Sequence, residues 1–258
     1  MSARIVVPVA VVLCLATLGS PAAAQLDFGP VVLGQIKTGC VEVCFGSACG
    51  AGGTISQAGF SDSAPFFVRG LRRGPSDEDL CQKPQKAQGV ELPVNLQPGQ
   101  SLMFDIDLVA DPIGFHDQDL RVNGQPVLSV LANVGQAPPC QPTFPDNLCL
   151  QNDRFAVRTF WRTQFGTRGP GTVVPGVASD DSGLFYFFNS DNWEVLLKVL
   201  DACKHPSERF WVFSAATTNV EYTITVTDTD AQQVNTYVNP LGLSAPAVTD
   251  TAAFATCP

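Results

Sequence analysis

Histidine, methionine and positive charge are what this sequence has least of. Two histidines, His116 and His205, and two methionines serve all 258 residues. There is no H-E-x-x-H, no G-x-S-x-G, no phosphate-cradling glycine loop and no G-x-G-x-x-G set between a strand and a helix, so metallohydrolase, serine-hydrolase and nucleotide chemistry lack their usual parts. Lys and Arg number 15 against 24 Asp and Glu, giving a net charge of −9, the wrong sign for attraction to phosphate backbones. Nucleic acid is therefore set aside as a partner. The 22 glycines and 20 prolines follow no period, which removes collagen-like structure and leaves a turn-rich globular protein.

What is present begins with an export signal. Residues 1–24 carry Arg4, an apolar run over 5–18 broken only by Pro8, and Pro21-Ala22-Ala23-Ala24 before Gln25, the order of a cleavable secretory signal. The run falls short of the roughly 20 residues a bilayer span requires, and nothing later is as long or as apolar, so no membrane attachment is expected after cleavage. The expected location is secreted or periplasmic. Eight cysteines then remain: Cys40, Cys44, Cys49, Cys81, Cys140, Cys149, Cys203 and Cys257. An even number in an exported chain implies disulfides, and eight allow 105 connectivities, or three per half if each half keeps its own four. For the second half we expect Cys140 with Cys149 and Cys203 with Cys257. The x3 and x4 spacings of Cys40, Cys44 and Cys49 do not match the repeated C-x2-C of a zinc ribbon.

Apolar residues recur with period two, the mark of strands with one buried side. In residues 154–165, Phe155, Val157, Thr159, Trp161 and Phe165 share one side, with Arg154, Arg158, Arg162 and Gln164 mainly on the other. Val220, Tyr222, Ile224 and Val226 alternate with Glu221 and three threonines, and Leu102, Phe104, Ile106 and Leu108 alternate with Met103, Asp105, Asp107 and Val109, which predicts two carboxylates on a wet side. Further strands are expected at 31–45, 65–70, 127–131, 184–188, 193–200, 210–214 and 234–238. Residues 192–202 also admit a helical stripe, but their β-branched content favours a strand. Residues 72–89 read as a long loop with one helical turn near 77–81. The four prolines of 132–147 mark a linker between domains at 25–131 and 148–258. The fold expected is all-β, with two β-sandwiches in tandem.

Two local patterns resemble known modules. Leu26-Asp27-Phe28-Gly29-Pro30-Val31-Val32-Leu33-Gly34, followed by Leu96-Gln97-Pro98-Gly99-Gln100-Ser101 feeding Leu102 to Ile106, resembles the immunoglobulin-like ASH/choice-of-anchor D modules of secreted bacterial proteins. The resemblance implies an immunoglobulin-like first domain and departs from the pattern at the insertion 40–53 and the loop 72–89. The second half, through Cys149 to Phe155, Ser182 to Phe188, Asn192 to Val195 and Ala252 to Pro258, is similar to an uncharacterised β module recurrent in secreted bacterial proteins, with no activity attached. Neither resemblance implies catalysis.

Three sets of residues are candidates for function. Trp161, Trp193 and Trp211 are candidates for a glycan-stacking platform, with core packing as the plainer alternative. Asp180, Asp181 and Asp191 are candidates for a structural calcium ion fed by loop oxygens, although none fits the EF-hand pattern; no other cofactor is implied. Loop carboxylates, Asp228 among them, would serve a hydrolase only if two converged. Phe115-His116-Asp117-Gln118-Asp119 reads as a solvated turn, and Cys203-Lys204-His205 as a disulfide cysteine beside a bystander imidazole. The reading that fits best is a non-catalytic binding or structural module acting on protein or glycan at the cell exterior, with a carbohydrate-binding module and a hydrolase as alternatives. Non-reducing mass spectrometry of the exported chain is expected to find no free thiol, and four or more would overturn the redox argument.

Overall fold

The computed structural model describes residues 11–15, 25–45, 52–61, 65–75, 77, 80–81, 86–142 and 145–258, with Val11–Leu15 and Cys44–Phe45 described by their backbone. The described residues form strands and turns with no helix, and the chain is all-β. It divides into two compact units: Met1–Val31 with Gln35–Gly135, and Val32–Gly34 with Gln136–Pro258.

In the first unit one sheet runs β1 (Val11–Leu15), β3 (Ile36–Phe45), β9 (Gln100–Val109), β6 (Phe66–Pro75) and β7 (Gln88–Gly89). The other runs β2 (Gln25–Val32), β11 (Gln125–Gly135), β10 (Gly114–Val122) and β5 (Ala58–Gly59), and β4 (Gly53–Ile55) pairs with β8 (Val94–Leu96) as a separate ribbon. Leu102, Phe104, Ile106 and Leu108 are all fully buried, as their alternation requires, and Phe28 stacks on Phe66 at 5.9 Å. Most of the expected leader lies outside the described residues; its Val11–Leu15 is extended and set parallel to β3.

The opposite side of β9 is not wet. Asp105 is fully buried and Asp107 nearly so. Arg72 Nη2 donates to Asp105 Oδ2 at 2.8 Å, Thr38 Oγ1 donates to Asp107 at 2.9 Å, and Glu42 accepts from Ser101 Oγ and from Leu80 N. The cover comes from the excursion expected as a free loop: Arg72 and Arg73 pair with Gly89 and Gln88, Leu80 is buried, and the Cys40–Cys81 disulfide ties the segment down. Leu80 and Cys81 are in a turn; residues 78 and 79 of the expected helical turn lie outside the described residues. Alternation tells which side chains share a side, not whether another segment roofs it. Gly70 makes room for this pairing, since a Cβ there would sit 2.6 Å from Asp105 Oδ2.

Other expectations are corrected in the same way. The strand expected over 31–45 breaks at Gly34, whose φ of +77° only glycine adopts easily. His116 lies within β10 rather than in a turn. The linker does not begin at 132, because Val130, Ala132 and Val134 carry buried alternation to the end of β11. Its remainder belongs to the second unit, where Ala137 exchanges hydrogen bonds with Gln232 and Cys140 bonds Cys149.

In the second unit one sheet runs β12 (Leu148–Leu150), β13 (Phe155–Arg162), β19 (Glu221–Asp228) and β20 (Gln233–Asn239), with β14 (Arg168–Pro170) also on β13. The other runs β15 (Thr172–Val173), β16 (Ser182–Tyr186), β17 (Val195–Ala202), β18 (Arg209–Ala216) and β21 (Val248–Phe254). Residues 192–202 are thus strand, not helix. The sheets enclose a core of Phe155, Val157, Phe185, Leu197, Val199, Val212, Ile224 and Phe254. β13 ends at Arg162, leaving Phe165 73% exposed instead of buried with its period-two partners.

Charged ends and a buried threonine row fix this sandwich. Arg154 grips Asp228 in bidentate fashion at 3.0 and 2.7 Å, Thr256 Oγ1 donates to the same carboxylate at 2.6 Å, and Arg154 Nη2 donates to Thr256 O. Its guanidinium stacks over the Phe210 ring at 4.6 Å, and Cys203–Cys257 closes the adjacent chain ends. Burial pushes the Asp228 carboxyl up, but hydrogen bonds from Arg154, Thr256 and Ala231 N, with the charge of Arg154, hold it below the ordinary range. At the other end of β13, Arg162 pairs with its cross-strand neighbour Glu221 at 3.1 Å. Thr223, Thr225 and Thr227, expected to face water, are buried; Val32–Gly34 lies over them, with Thr225 Oγ1 donating to Gly34 O at 2.8 Å.

Two predictions follow from these contacts. A Cβ on Gly34 would meet Thr227 Oγ1 at 1.9 Å. Gly34→Ala should therefore destabilise the protein by roughly 2–4 kcal/mol from overpacking and positive φ. Adding Thr227→Ala should return only the steric part, as measured by urea unfolding of the double variant. A carboxyl lowered in the folded state contributes stability above its unfolded pKa of about 4 and loses it as pH falls through the folded value. Asp228→Asn should cost roughly 3–5 kcal/mol at pH 7 by stranding Arg154. It should also flatten the acid limb of the stability curve below pH 4, and an unchanged limb in unfolding titrations would refute the assignment.

Candidate binding face of the second unit

The candidate site lies on the outward side of the sheet β15-β16-β17-β18-β21, opposite the core. Val195, Leu197 and Val199 point inward and are buried, so Leu196, Lys198 and Leu200 point outward. On β18, Phe210 and Val212 are inward, and Arg209, Trp211, Phe213 and Ala215 are outward. The register sets Leu196 beside Leu184 and Ala215, Lys198 beside Ser182 and Phe213, and Leu200 beside Trp211. The result is a patch of large apolar side chains reaching solvent across three adjacent strands.

A shallow groove of about 410 Å³ crosses this patch, lined by Leu196, Leu200, Phe213, Ala215 and Val248 with Lys198 at its edge. Its size falls in the range of small-molecule sites, roughly 300–1,000 Å³. The small Ala215 forms the depression between larger neighbours. Lys198 has no hydrogen-bond or ion-pair partner among the described residues.

The three candidate tryptophans part company. Trp161 is core: it is buried, stacks on Phe187 at 6.1 Å, and donates its indole N–H to Pro170 O at 3.1 Å. Trp193 is 47% exposed on the β16–β17 turn, with its N–H on Ser190 O. Trp211 is half-buried on the outward face, its N–H donating to Ser207 Oγ at 3.1 Å and its ring set edge-on to His205 at 4.9 Å and to Phe213 at 6.2 Å. His205 is thereby occupied in holding a turn and an indole, while Cys203 is bonded to Cys257.

The acidic candidates also separate. Asp180 and Asp181 precede β16, where Asp180 accepts from Asn152 N at 2.7 Å and Asp181 from Gln151 Nε2 at 2.5 Å. Asp191 follows β16, at the other end of the strand, in the turn closed by Asn189. Five strand residues therefore stand between the members of the expected calcium trio, and among the described residues no group of three or more His, Cys, Asp or Glu side chains is placed to hold a metal ion. Asp228, the third loop carboxylate, is committed to Arg154.

Glu194 is a buried titratable group beside the turn that carries Phe188 and Trp193. Burial raises its pKa, and hydrogen bonds from Phe187 N and Asn192 Nδ2 partly offset that rise. Those same bonds shape the turn that presents Phe188, 53% exposed, and Trp193. None of Leu196, Lys198, Leu200, Phe213 and Ala215 was expected at a site from the sequence; Leu196 and Leu200 stood out only as members of the apolar stripe in residues 192–202. The signal was present in Leu196-Leu197 and Phe210 to Phe213, where apolar residues occupy both sides of a strand. The chain matches no family model and no curated protein.

Proposed function

We propose that this protein is an exported, non-catalytic binding module, and that the outward side of the β17–β18 sheet is its ligand face. The observation that carries the reading is that Leu196, Leu200, Trp211 and Phe213 share the outward side of a sheet whose other side is a closed core, Leu196 exposed and the other three partly so. Contiguous apolar surface of this kind costs solubility and marks interaction sites on soluble proteins. Three disulfides among the described residues point to an oxidising, extracytoplasmic environment. No described helix is long and apolar enough to cross a membrane. The expected export signal supports secretion or residence in the periplasm, and the first unit is proposed to be of the immunoglobulin-like kind.

A carbohydrate-binding module is the second reading, favoured by Trp211 and Phe213 lying on one sheet side. Their rings stand at 75° to each other, which offers one sugar-stacking plane rather than two. The hydrolase reading is weaker, because Asp228, Asp180 and Asp181 all spend their oxygens on internal donors.

Nile red, a neutral solvatochromic dye, tests the face. The wild-type chain with its disulfides intact should bind it saturably, and Leu196→Glu with Phe213→Ser should weaken binding at least ten-fold with little change in Tm. Equal binding by the variant, or turnover of chromogenic glycosides, esters or peptides by the wild type, would overturn the reading.

A further inference from the structure

Resting on that reading, we propose that the groove takes a monomeric aliphatic carboxylate, its chain along Leu196, Leu200 and Phe213 and its carboxylate on Lys198. Charge is the first argument. The chain holds 24 acidic against 15 basic residues. Yet the outward positions of β16, β17 and β18 are Ser182, Leu184, Tyr186, Leu196, Lys198, Leu200, Arg209, Trp211, Phe213 and Ala215, with two cations and no acid. The nearest strand acids turn away: Asp250 lies opposite the inward Val212 and accepts from Tyr237 OH at 2.9 Å, and Asp201 lies opposite the inward Phe210 and accepts from Cys203 N.

The lining chooses the body of the ligand. A glycan is recognised through many directional hydrogen bonds, and the outward side chains at this groove offer only Lys198 and Thr249 for them. Aliphatic and ring carbon forms the rest, which suits a hydrocarbon chain. The groove crosses β17, β18 and β21, about 4.8 Å apart, so a chain laid across it meets side chains of all three. Lys198 stands in the middle of the β17 edge, between Leu196 and Leu200, where a terminal carboxylate can reach it while remaining wet. A half-exposed ammonium of this kind discriminates charge at little cost in burial.

Calorimetry with octanoate, decanoate and dodecanoate, each below its micellar concentration, tests this on the full disulfide-bonded chain. Binding should be one to one and should strengthen by up to roughly four-fold per added methylene. Lys198→Met should weaken dodecanoate at least ten-fold while leaving the uncharged dodecyl maltoside unchanged. Ala215→Phe, which fills the depression, should remove both, and Lys204→Met, outside the groove, should change neither. No saturable dodecanoate binding by the wild type, wild-type affinity in Lys198→Met, or binding only to phosphatidylglycerol vesicles would overturn the assignment. If dodecanoate fails while the Nile red response still depends on Leu196 and Phe213, the ligand class falls and the face stands; if both fail, the face falls as well.

Discussion

The second unit depends on one buried charge. Asp228 is the last residue of β19 and lies opposite Phe155, the first residue of β13, so the Arg154–Asp228 fork fixes the register of the two central strands of that sheet. A one-residue slip would turn every side chain of β13 to the other side and put Arg158 and Phe160 where Val157 and Thr159 now lie. The same carboxylate takes Thr256 Oγ1, Ala231 N and Asp230 N, binding the C-terminal end and the β19–β20 turn to the start of β13.

Sheets in this protein have two sides, and the treatment of the outer side separates structure from function. On β9 the outer side is polar, and it is buried only because Arg72 answers Asp105 and because Ser101 and Leu80 answer Glu42. On β19 it is a threonine row, with Arg158 nearby, whose pKa burial lowers. Polar groups under cover demand partners, and the sequence supplies them. On β17 and β18 the arrangement is reversed. Apolar side chains reach solvent there, and the only charges among them are basic, in a chain that is acidic overall.

Much of the fold was legible in the sequence. Period-two patterns located β9, β13 and β19, apolar runs bounded by turn residues located β16, β17, β18 and β20, and the pairing expected for the second half, Cys140–Cys149 and Cys203–Cys257, is present in the structure. Strands such as β10 and β21 were missed because they bury little and show no apolar alternation: β10 buries only Leu120 and Val122, and β21 only Phe254. What alternation could not convey is a third layer. Asp105, Asp107 and Thr225 looked wet because the groups that meet them, Arg72, Thr38 and Gly34, lie far away along the chain. The candidate face was hidden for a related reason: Leu196 and Phe213 look like ordinary core residues until the register shows that Leu197 and Val212 already fill the core.

The perturbed titratable groups bear on whether such a face does chemistry. Shifted pKa values mark catalytic groups when the group is also free to exchange a proton with a ligand. Asp228 is lowered, but its oxygens are filled by Arg154, Thr256 and backbone donors. Glu194 and Tyr237 are raised, the first holding the Phe187 to Asn192 turn and the second donating to Asp250. Burial is the first cause of the rise at Glu194 and at Tyr237, hydrogen bonds and the charge of Arg154 outweigh it at Asp228, and none of the three lines the groove. The cation that does line it, Lys198, lies at the rim of a hydrocarbon surface with no internal partner. The proposed carboxylate would meet charge and carbon side by side there.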